Sequence, residues 1–185
     1  MLILASGSPR RKELLKKITN DFRVVVSDID EKSVQATARE LPVKISKMKA
    51  YAVYSKFPED TILASDTVVL LDNEIIGKPV DYEDARQILK RLSGKQHLVI
   101  TGYTLISKDF ELSRSVISKV YFKDLSDDLI DRYVRSGSPM DKAGSYGIQD
   151  DFGAVFVSDI KGCYYNIVGL PVEMLYSTMK EFINA

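Results

Sequence analysis

Leu2-Ile3-Leu4-Ala5-Ser6-Gly7-Ser8-Pro9-Arg10-Arg11-Lys12-Glu13-Leu14-Leu15 reads as a strand, a turn and the start of a helix. Leu2 to Ala5 is a short apolar run suited to a buried strand, and Ser6-Gly7-Ser8 breaks it. Ser8 is a favoured N-cap and Pro9 a favoured first helical residue. Leu14, Leu15 and Ile18 give the helix one apolar face. Its first turn is electrostatically reversed. Helix N-termini favour Asp and Glu, whereas this one carries Arg10, Arg11 and Lys12. Together with the N–H groups of the turn and the hydroxyls of Ser6 and Ser8, the stretch lacks an anion, and a phosphate chain would satisfy it. The plain alternative is an exposed basic helix end with solvated side chains.

Working outward, Phe22 to Val26 reads as a second strand that ends in the acidic cluster Ser27-Asp28-Ile29-Asp30-Glu31. Residues 32–41 read as a loop with a helical turn. Pro42 opens a helix to about Lys56, with Ile45, Met48, Ala52 and Val53 on one face and Lys49 beside it. Thr61 to Leu71 is the most apolar segment and reads as a central strand buried on both sides. Asp72-Asn73 turns it into a short partner at Glu74 to Ile76, and the loop Gly77-Lys78-Pro79 follows. Tyr82 to Leu92 is an amphipathic helix. Gln96 to Ser107 and Leu112 to Phe122 should form an antiparallel hairpin. Ser126 caps a helix to Arg135, with Gly137 as its stop. Residues 137–152 form a long polar stretch carrying Asp141, Lys142 and Gln149, and such stretches are more often functional than idle. Gly153 to Ile160 reads as a strand and Cys163 to Val168 as another, with Cys163 a core residue; Pro171 starts a helix ending near Ile183. Crossover and hairpin connections together predict an α/β or α+β fold around a mixed sheet. A ligand would lie at strand ends, where the first turn, the acidic cluster and the buried strand converge.

Bulk properties exclude several function classes. The chain has 185 residues, enough for one domain or two joined lobes. Lys plus Arg is 26 and Asp plus Glu is 26, a zero balance that argues against a general nucleic-acid binder. The one cysteine precludes an intramolecular disulfide and points to a reducing, intracellular compartment. The first apolar run meets Arg too early for a signal peptide, and no run reaches the about 18 apolar residues of a membrane span. A single histidine, His97, makes a His-rich zinc or copper site implausible, so carboxylates would have to hold any metal, a hard ion such as Mg²⁺ or Mn²⁺. Ser93-Gly94-Lys95 is not a P-loop, because no Gly-x-x-x-x-Gly-Lys-Ser/Thr is present, and no Gly-x-Ser-x-Gly is present either.

Asp66 is the sharpest single residue. A carboxylate in the middle of the most apolar strand is costly unless it is paired or bound to metal. It reads as a metal ligand or a general base for water, or else as a structural Asp satisfied by backbone N–H groups or a lysine. Asp30 and Glu31 alone would be solvated surface; beside Asp66 they would complete a divalent-metal site. Lys49, Lys78 and Lys142 are candidate phosphate clamps, with Lys78 held on a tight loop. These residues together read as metal-dependent hydrolysis of a polyphosphate.

At these residues the chain resembles the Maf family, the septum formation inhibitor proteins, over essentially its whole length. The blocks that carry the resemblance are Leu4-Ala5-Ser6-Gly7-Ser8-Pro9-Arg10-Arg11, Ala64-Ser65-Asp66-Thr67-Val68-Val69, Gly77-Lys78-Pro79, Leu92-Ser93-Gly94, Asp141-Lys142-Ala143-Gly144-Ser145-Tyr146-Gly147-Ile148-Gln149 and Val168-Gly169-Leu170-Pro171. The resemblance implies one domain over residues 1–185, a mixed twisted sheet flanked by helices in two lobes around a central cleft, similar to the inosine triphosphate pyrophosphatase fold. It implies cleavage of a nucleoside triphosphate between the α and β phosphates with a divalent metal, Mg²⁺ or Mn²⁺. Asp66 falls on the family's proton acceptor, Ser6, Ser8 and Arg11 on its first-loop phosphate contacts, Lys49 and Lys78 on its functional lysines, and Asp30-Glu31 on its acidic pair.

One branch of the family resembles dTTP/UTP pyrophosphatases and has Arg, Thr and Gln at three discriminating positions. This chain has Arg10, Thr67 and Gln149. The branch acting on 7-methyl-GTP has Trp, Gln and Glu there. The resemblance therefore implies dTTP and UTP, or modified uridine triphosphates, as substrates. Two departures are Ser145, where Ala is commoner, and Asp150-Asp151 in place of a Gly-containing turn. The expected partner is a nucleoside triphosphate in the cytoplasm, with no nucleic acid and no membrane; a homodimer is compatible with this, though nothing in the periodicity marks an interface. A 7-methyl-GTP pyrophosphatase, a nucleotide-binding regulator of cell division and a phosphomonoesterase stand as alternatives.

Overall fold

The computed structural model describes residues 1–149 and 152–182. Strand β1 (Leu2–Leu4) pairs in parallel with β2 (Phe22–Val24) on one side and with β3 (Thr61–Leu71) on the other, so that Leu4 lies opposite both Val24 and Leu63. Between β1 and β2, Ser8 is extended and its Oγ accepts the Arg11 N–H at 3.4 Å, which starts α1 (Pro9–Leu15). Helix α2 (Leu41–Tyr54) precedes β3. Asp72 and Asn73, at φ +51° and +67°, form the tight turn from β3 into its antiparallel partner β4 (Glu74–Ile76). Next come α3 (Tyr82–Leu92), β5 (Gln96–Ile106), β6 (Glu111–Phe122), α4 (Asp127–Arg135), β7 (Val157–Lys161), α5 (Tyr164–Val168) and α6 (Val172–Phe182). The seven strands make one mixed sheet in the order β2-β1-β3-β5-β6-β7, with β4 on β3.

The chain divides into two compact units. The first comprises residues 1–67, 101–116 and 165–185, and the second 68–100 and 117–164. In the first unit, alternation along β1 and β3 sends side chains to two cores. Leu4 and Leu63 join Leu14, Leu15, Tyr103, Leu105, Leu170 and Leu175. Ile3, Ala5, Ile62 and Ala64 instead join Ala50 and Val53 of α2. Burial on both faces explains why these strands read as continuous apolar runs rather than alternating ones. Gly102 of β5 lies against the start of α2: a Cβ there would come within 2.4 Å of Val43 N and 2.5 Å of the Pro42 carbonyl carbon. Only glycine lets the helix approach this strand so closely.

The second unit is built on an aromatic core. The rings of His97, Phe122 and Tyr146 meet edge to face, with centroids 4.8 to 5.3 Å apart. Phe156 extends the cluster to Tyr133 at 5.0 Å. Asp81 caps α3 by accepting from Asp84 N at 2.8 Å. Helices α3 and α4 are joined by Arg86–Asp131 and Lys90–Asp127, both at 2.8 Å.

Several sequence expectations need correction. The buried face of α2 is Pro42, Ile45, Ser46, Lys49, Ala50 and Val53, so Lys49 lies on it while Met48 is 39% exposed. Cys163 to Val168 is not a strand. Residues Tyr164–Val168 form helix α5, closed by Gly169 at φ +126°, with Gly169 N bonded to Asn166 O and Leu170 N to Tyr165 O. That is a glycine stop followed by Pro171, a C-terminal helix signal that an apolar-run reading overlooks. Cys163 is half-buried rather than a core residue. Gly153–Phe156 is a 3₁₀ turn, and the strand begins only at Val157. Strand β2 stops at Val24, and α6 is described to Phe182, so its expected end near Ile183 lies outside the described residues, as do Asp150 and Asp151.

Burial in the aromatic core pulls the His97 imidazole down from 6.5 to about 4. Its Nε2 lies 2.8 Å from the Tyr146 hydroxyl, and its Nδ1 has no partner among the described residues. As pH falls through the ordinary imidazole value of 6.5, the unfolded chain takes up a proton that the folded chain refuses until about 4. Stability is therefore full above that range and is lost progressively across it. Thermal melts between pH 7.5 and 4.5 should show a fall in Tm that is smaller by roughly 5 °C in His97→Gln. An identical fall in both proteins would contradict the assignment.

Candidate active site

The alternation along β3 divides the candidate residues between its two faces. Asp66 follows Ile62 and Ala64 onto the face covered by α2, while Ser65 and Thr67 follow Leu63 onto the face covered by α1. On the α2 face, Lys49 Nζ donates to Asp66 Oδ1 at 3.0 Å and also lies 2.8 Å from Glu31 Oε1. Both side chains of the inner pair are nearly buried, 10% exposed for Lys49 and 12% for Asp66, whereas Glu31 is half exposed. The plain reading of Asp66 as a carboxylate paired with a lysine thus describes its contacts. The group as a whole has two carboxylates around one ammonium, a net negative charge in the middle of an apolar strand.

Glu31 reaches this position from a 3₁₀ turn, Glu31–Ser33. Asp30 caps that turn, its Oδ1 accepting from Lys32 N at 3.1 Å. Of the predicted acidic pair, Glu31 meets Lys49 and Asp30 shapes the turn that presents it. Asp66 and Glu31 are hard oxygen donors of the kind Mg²⁺ or Mn²⁺ takes, and the ammonium between them marks a place where positive charge is already accommodated. Among the described residues no group of three or more His, Cys, Asp or Glu could hold a metal ion. Two carboxylates fit Mg²⁺, which ordinarily takes one or two from the protein and completes its shell with water and substrate phosphates.

On the α1 face the Arg11 guanidinium is held by three acceptors. Its Nε donates to Gly169 O at 3.0 Å, one terminal nitrogen to Ser6 Oγ at 3.3 Å and the other to Thr67 Oγ1 at 3.1 Å. Burial draws its pKa down from the usual guanidinium range, and the Asp66 charge opposes that. Of five N–H donors this leaves two with no partner among the described residues. Ser6 Oγ also accepts from Ser8 N at 3.3 Å, which fills both lone pairs and leaves its proton to donate. The hydroxyls of Ser6 and Ser8 are therefore engaged within the turn rather than open, and Arg10 stands half-exposed beside them.

The remaining predicted residues belong to the second unit. Lys78 is exposed on the loop after β4, and Gly77 O accepts from Gly144 N at 3.0 Å, tying that loop to the stretch after Lys142. Lys142 is buried, its ammonium engaged by Ser138 O at 2.5 Å, Asp141 Oδ1 at 2.7 Å and Ser138 Oγ at 3.3 Å. Gln149 is exposed, and Ser145 is buried at φ +58°. Sequence reasoning missed Ser65, whose Oγ donates to Gly102 O at 2.9 Å, together with Thr101 and Gly102. Gly102 carried a signal, a glycine inside a strand pattern. Thr101 carried none.

The family model for Maf-like proteins matches residues 1–182. A dTTP/UTP pyrophosphatase of Clostridium tetani is 50% identical to this chain, covering 97% of it and 96% of the relative. Proteins of the same description from Pyrococcus abyssi and Pyrococcus furiosus are 47% and 49% identical, covering 97% and 94% of this chain and 95% and 91% of theirs. The solved Staphylococcus aureus Ham1 protein is 15% identical, with a TM-score of 0.48 over 68% of this chain and 72% of that one, too loose a likeness to carry weight. With the family model spanning the chain from its first described strand to its last described helix, the chain belongs to the Maf family.

Proposed function

We propose that this chain hydrolyses dTTP and UTP to the nucleoside monophosphate and pyrophosphate. The observation that carries the reading is identity of 44–50% over nearly the whole chain to relatives described as dTTP/UTP pyrophosphatases. The pairing of Asp66 with Lys49 and the seating of Arg11 support it. Water attacks the α-phosphorus, the bond to the bridging oxygen breaks, and pyrophosphate leaves. Asp66 takes the proton of the attacking water. Lys49 pairs with Asp66 and orients it, and Arg11 offers its two unpartnered N–H groups to phosphate oxygens. A divalent cation, when bound, would be held by Asp66 and Glu31, with Asp30 shaping the turn, and would neutralise phosphate charge.

In the second unit we assign Lys78 and Lys142 to the substrate's phosphates and Gln149 to the base, where a side-chain amide offers a donor and an acceptor to the imide edge of uracil or thymine. Arg10 and Thr67 complete the specificity set. The same reading expects a cytoplasmic setting, where these nucleotides are held.

Product analysis with dTTP, UTP, CTP, dATP, GTP and 7-methyl-GTP, with Mg²⁺ or Mn²⁺, tests the reading. Monophosphate and pyrophosphate should appear from dTTP and UTP. Orthophosphate as the product would indicate a phosphomonoesterase, turnover confined to 7-methyl-GTP would overturn the specificity, and binding without turnover would favour a regulator. Asp66→Asn should lower kcat for dTTP by about 10²–10⁴-fold while nucleotide binding stays measurable; activity within about twofold of wild type would remove Asp66 from the mechanism.

A further inference from the structure

Three oxygens, those of Thr67, Thr101 and Asn166, line up behind Arg11 on the α1 face of the sheet, and the protons between them can be assigned. Thr101 is fully buried on β5. Its Oγ1 lies 2.8 Å from the backbone carbonyl oxygen of Asn166 and 2.9 Å from Thr67 Oγ1. A carbonyl has no proton to give, so the single hydroxyl proton of Thr101 goes to Asn166 O. The contact between the two threonines then needs the proton of Thr67. Thr67 has none left, and the Arg11 N–H donates into one of its lone pairs at 3.1 Å. The hydrogen bonds run one way, from Arg11 to Thr67 to Thr101 to the C-terminal turn of α5.

That turn holds Arg11 a second time. Gly169 O accepts from Arg11 Nε at 3.0 Å, and it is reached as well by Ser65 Oγ at 3.3 Å. Gly169, at φ +126°, has its ideal Cβ position 3.7 Å from Arg11 Nε and 3.6 Å from Thr67 Oγ1, so the turn lies directly against both side chains. The guanidinium is thus fixed at Nε by one carbonyl and at a terminal nitrogen, through two hydroxyls, by another.

We propose that Thr101, which touches no substrate in this scheme, is a positioning residue: it fixes the hydroxyl of Thr67 as an acceptor toward Arg11 and so holds the guanidinium in place for a polyphosphate anion. The role rests on the reading of Arg11 as a phosphate contact. Without Thr101 Oγ1 the Thr67 proton has no fixed acceptor, its hydroxyl can rotate, and the Arg11 donor loses an oriented partner. The arrangement also leaves Thr67 able only to accept from a ligand, never to donate to one.

The test uses inorganic tripolyphosphate as the probe and isothermal calorimetry as the readout, so it does not depend on turnover. Thr101→Val keeps the shape and removes the hydroxyl; it should raise the tripolyphosphate Kd by roughly fivefold, whereas Thr101→Ser should bind like wild type. Arg11→Gln should weaken binding further, and adding Thr101→Val to it should cost nothing more, because Thr101 acts through Arg11. Thr67→Val breaks the same chain at a half-exposed position and, because it also removes the acceptor itself, should weaken binding at least as much as Thr101→Val, which covers the case in which the buried substitution fails to fold. Wild-type affinity in Thr67→Val or folded Thr101→Val, effects additive with Arg11→Gln, or no tripolyphosphate binding by the wild-type protein would each overturn the proposal. Binding that follows the predicted pattern in a protein that does not hydrolyse dTTP would leave it standing and overturn the proposed activity instead. In an active protein, Thr101→Val should raise KM for dTTP with kcat within about twofold, and Thr101→Ser should restore it.

Discussion

The ammonium of Lys49 between Asp66 and Glu31 is the interaction on which the rest of the site depends. A carboxylate in the interior of an apolar strand is tolerable only with a partner, and removing one member of a buried pair typically costs about 3–5 kcal/mol. Lys49 can serve because it lies on the buried face of α2, two turns beyond the point where Pro42 and Val43 press against Gly102. Ser46, one turn before Lys49, strengthens this docking through its hydroxyl contact with Thr104 at 2.9 Å. The position of one ammonium is therefore set by a missing Cβ on β5. A side chain at 102 would push α2 outward and carry Lys49 away from Asp66.

The two-residue period of β3 does the remaining work. Residues 65, 66 and 67 point to alternate faces, so a run of three polar residues serves two separate constellations without competition. Asp66 meets the helix that supplies a cation and an acidic turn. Ser65 and Thr67 meet the first-turn arginine and the Gly169 turn that seats it. The two constellations have complementary chemistry. One offers carboxylates and a place for positive charge, the other offers N–H donors that an anion would complete.

Much of this was legible in the sequence because it depends on local rules. The Ser8 cap, the apolar length of 61–71, the Asp72-Asn73 turn and the anomaly of an acid inside the most buried strand all follow from composition and spacing. What differed came from tertiary context in one place and from a local signal outweighed by composition in another. Lys49 lies on the apolar face rather than beside it, because its neighbours at 45, 46, 50 and 53 define that face and Asp66 compensates its charge. The run 163–168 is apolar enough to read as a strand, but the glycine stop after it marks the end of a helix. Thr101 is an ordinary strand threonine by every local criterion. Its importance comes from a carbonyl 65 residues away in sequence, which no periodicity can reveal.

In the proposed reaction the acid held by Lys49 directs water at the α-phosphorus of a nucleoside triphosphate. Hydrolysis of dTTP in ¹⁸O-labelled water, followed by mass spectrometry of both products, distinguishes the phosphorus attacked. The label should enter the monophosphate, with the pyrophosphate unlabelled. Label in the pyrophosphate would place the attack on the β-phosphorus and contradict the account.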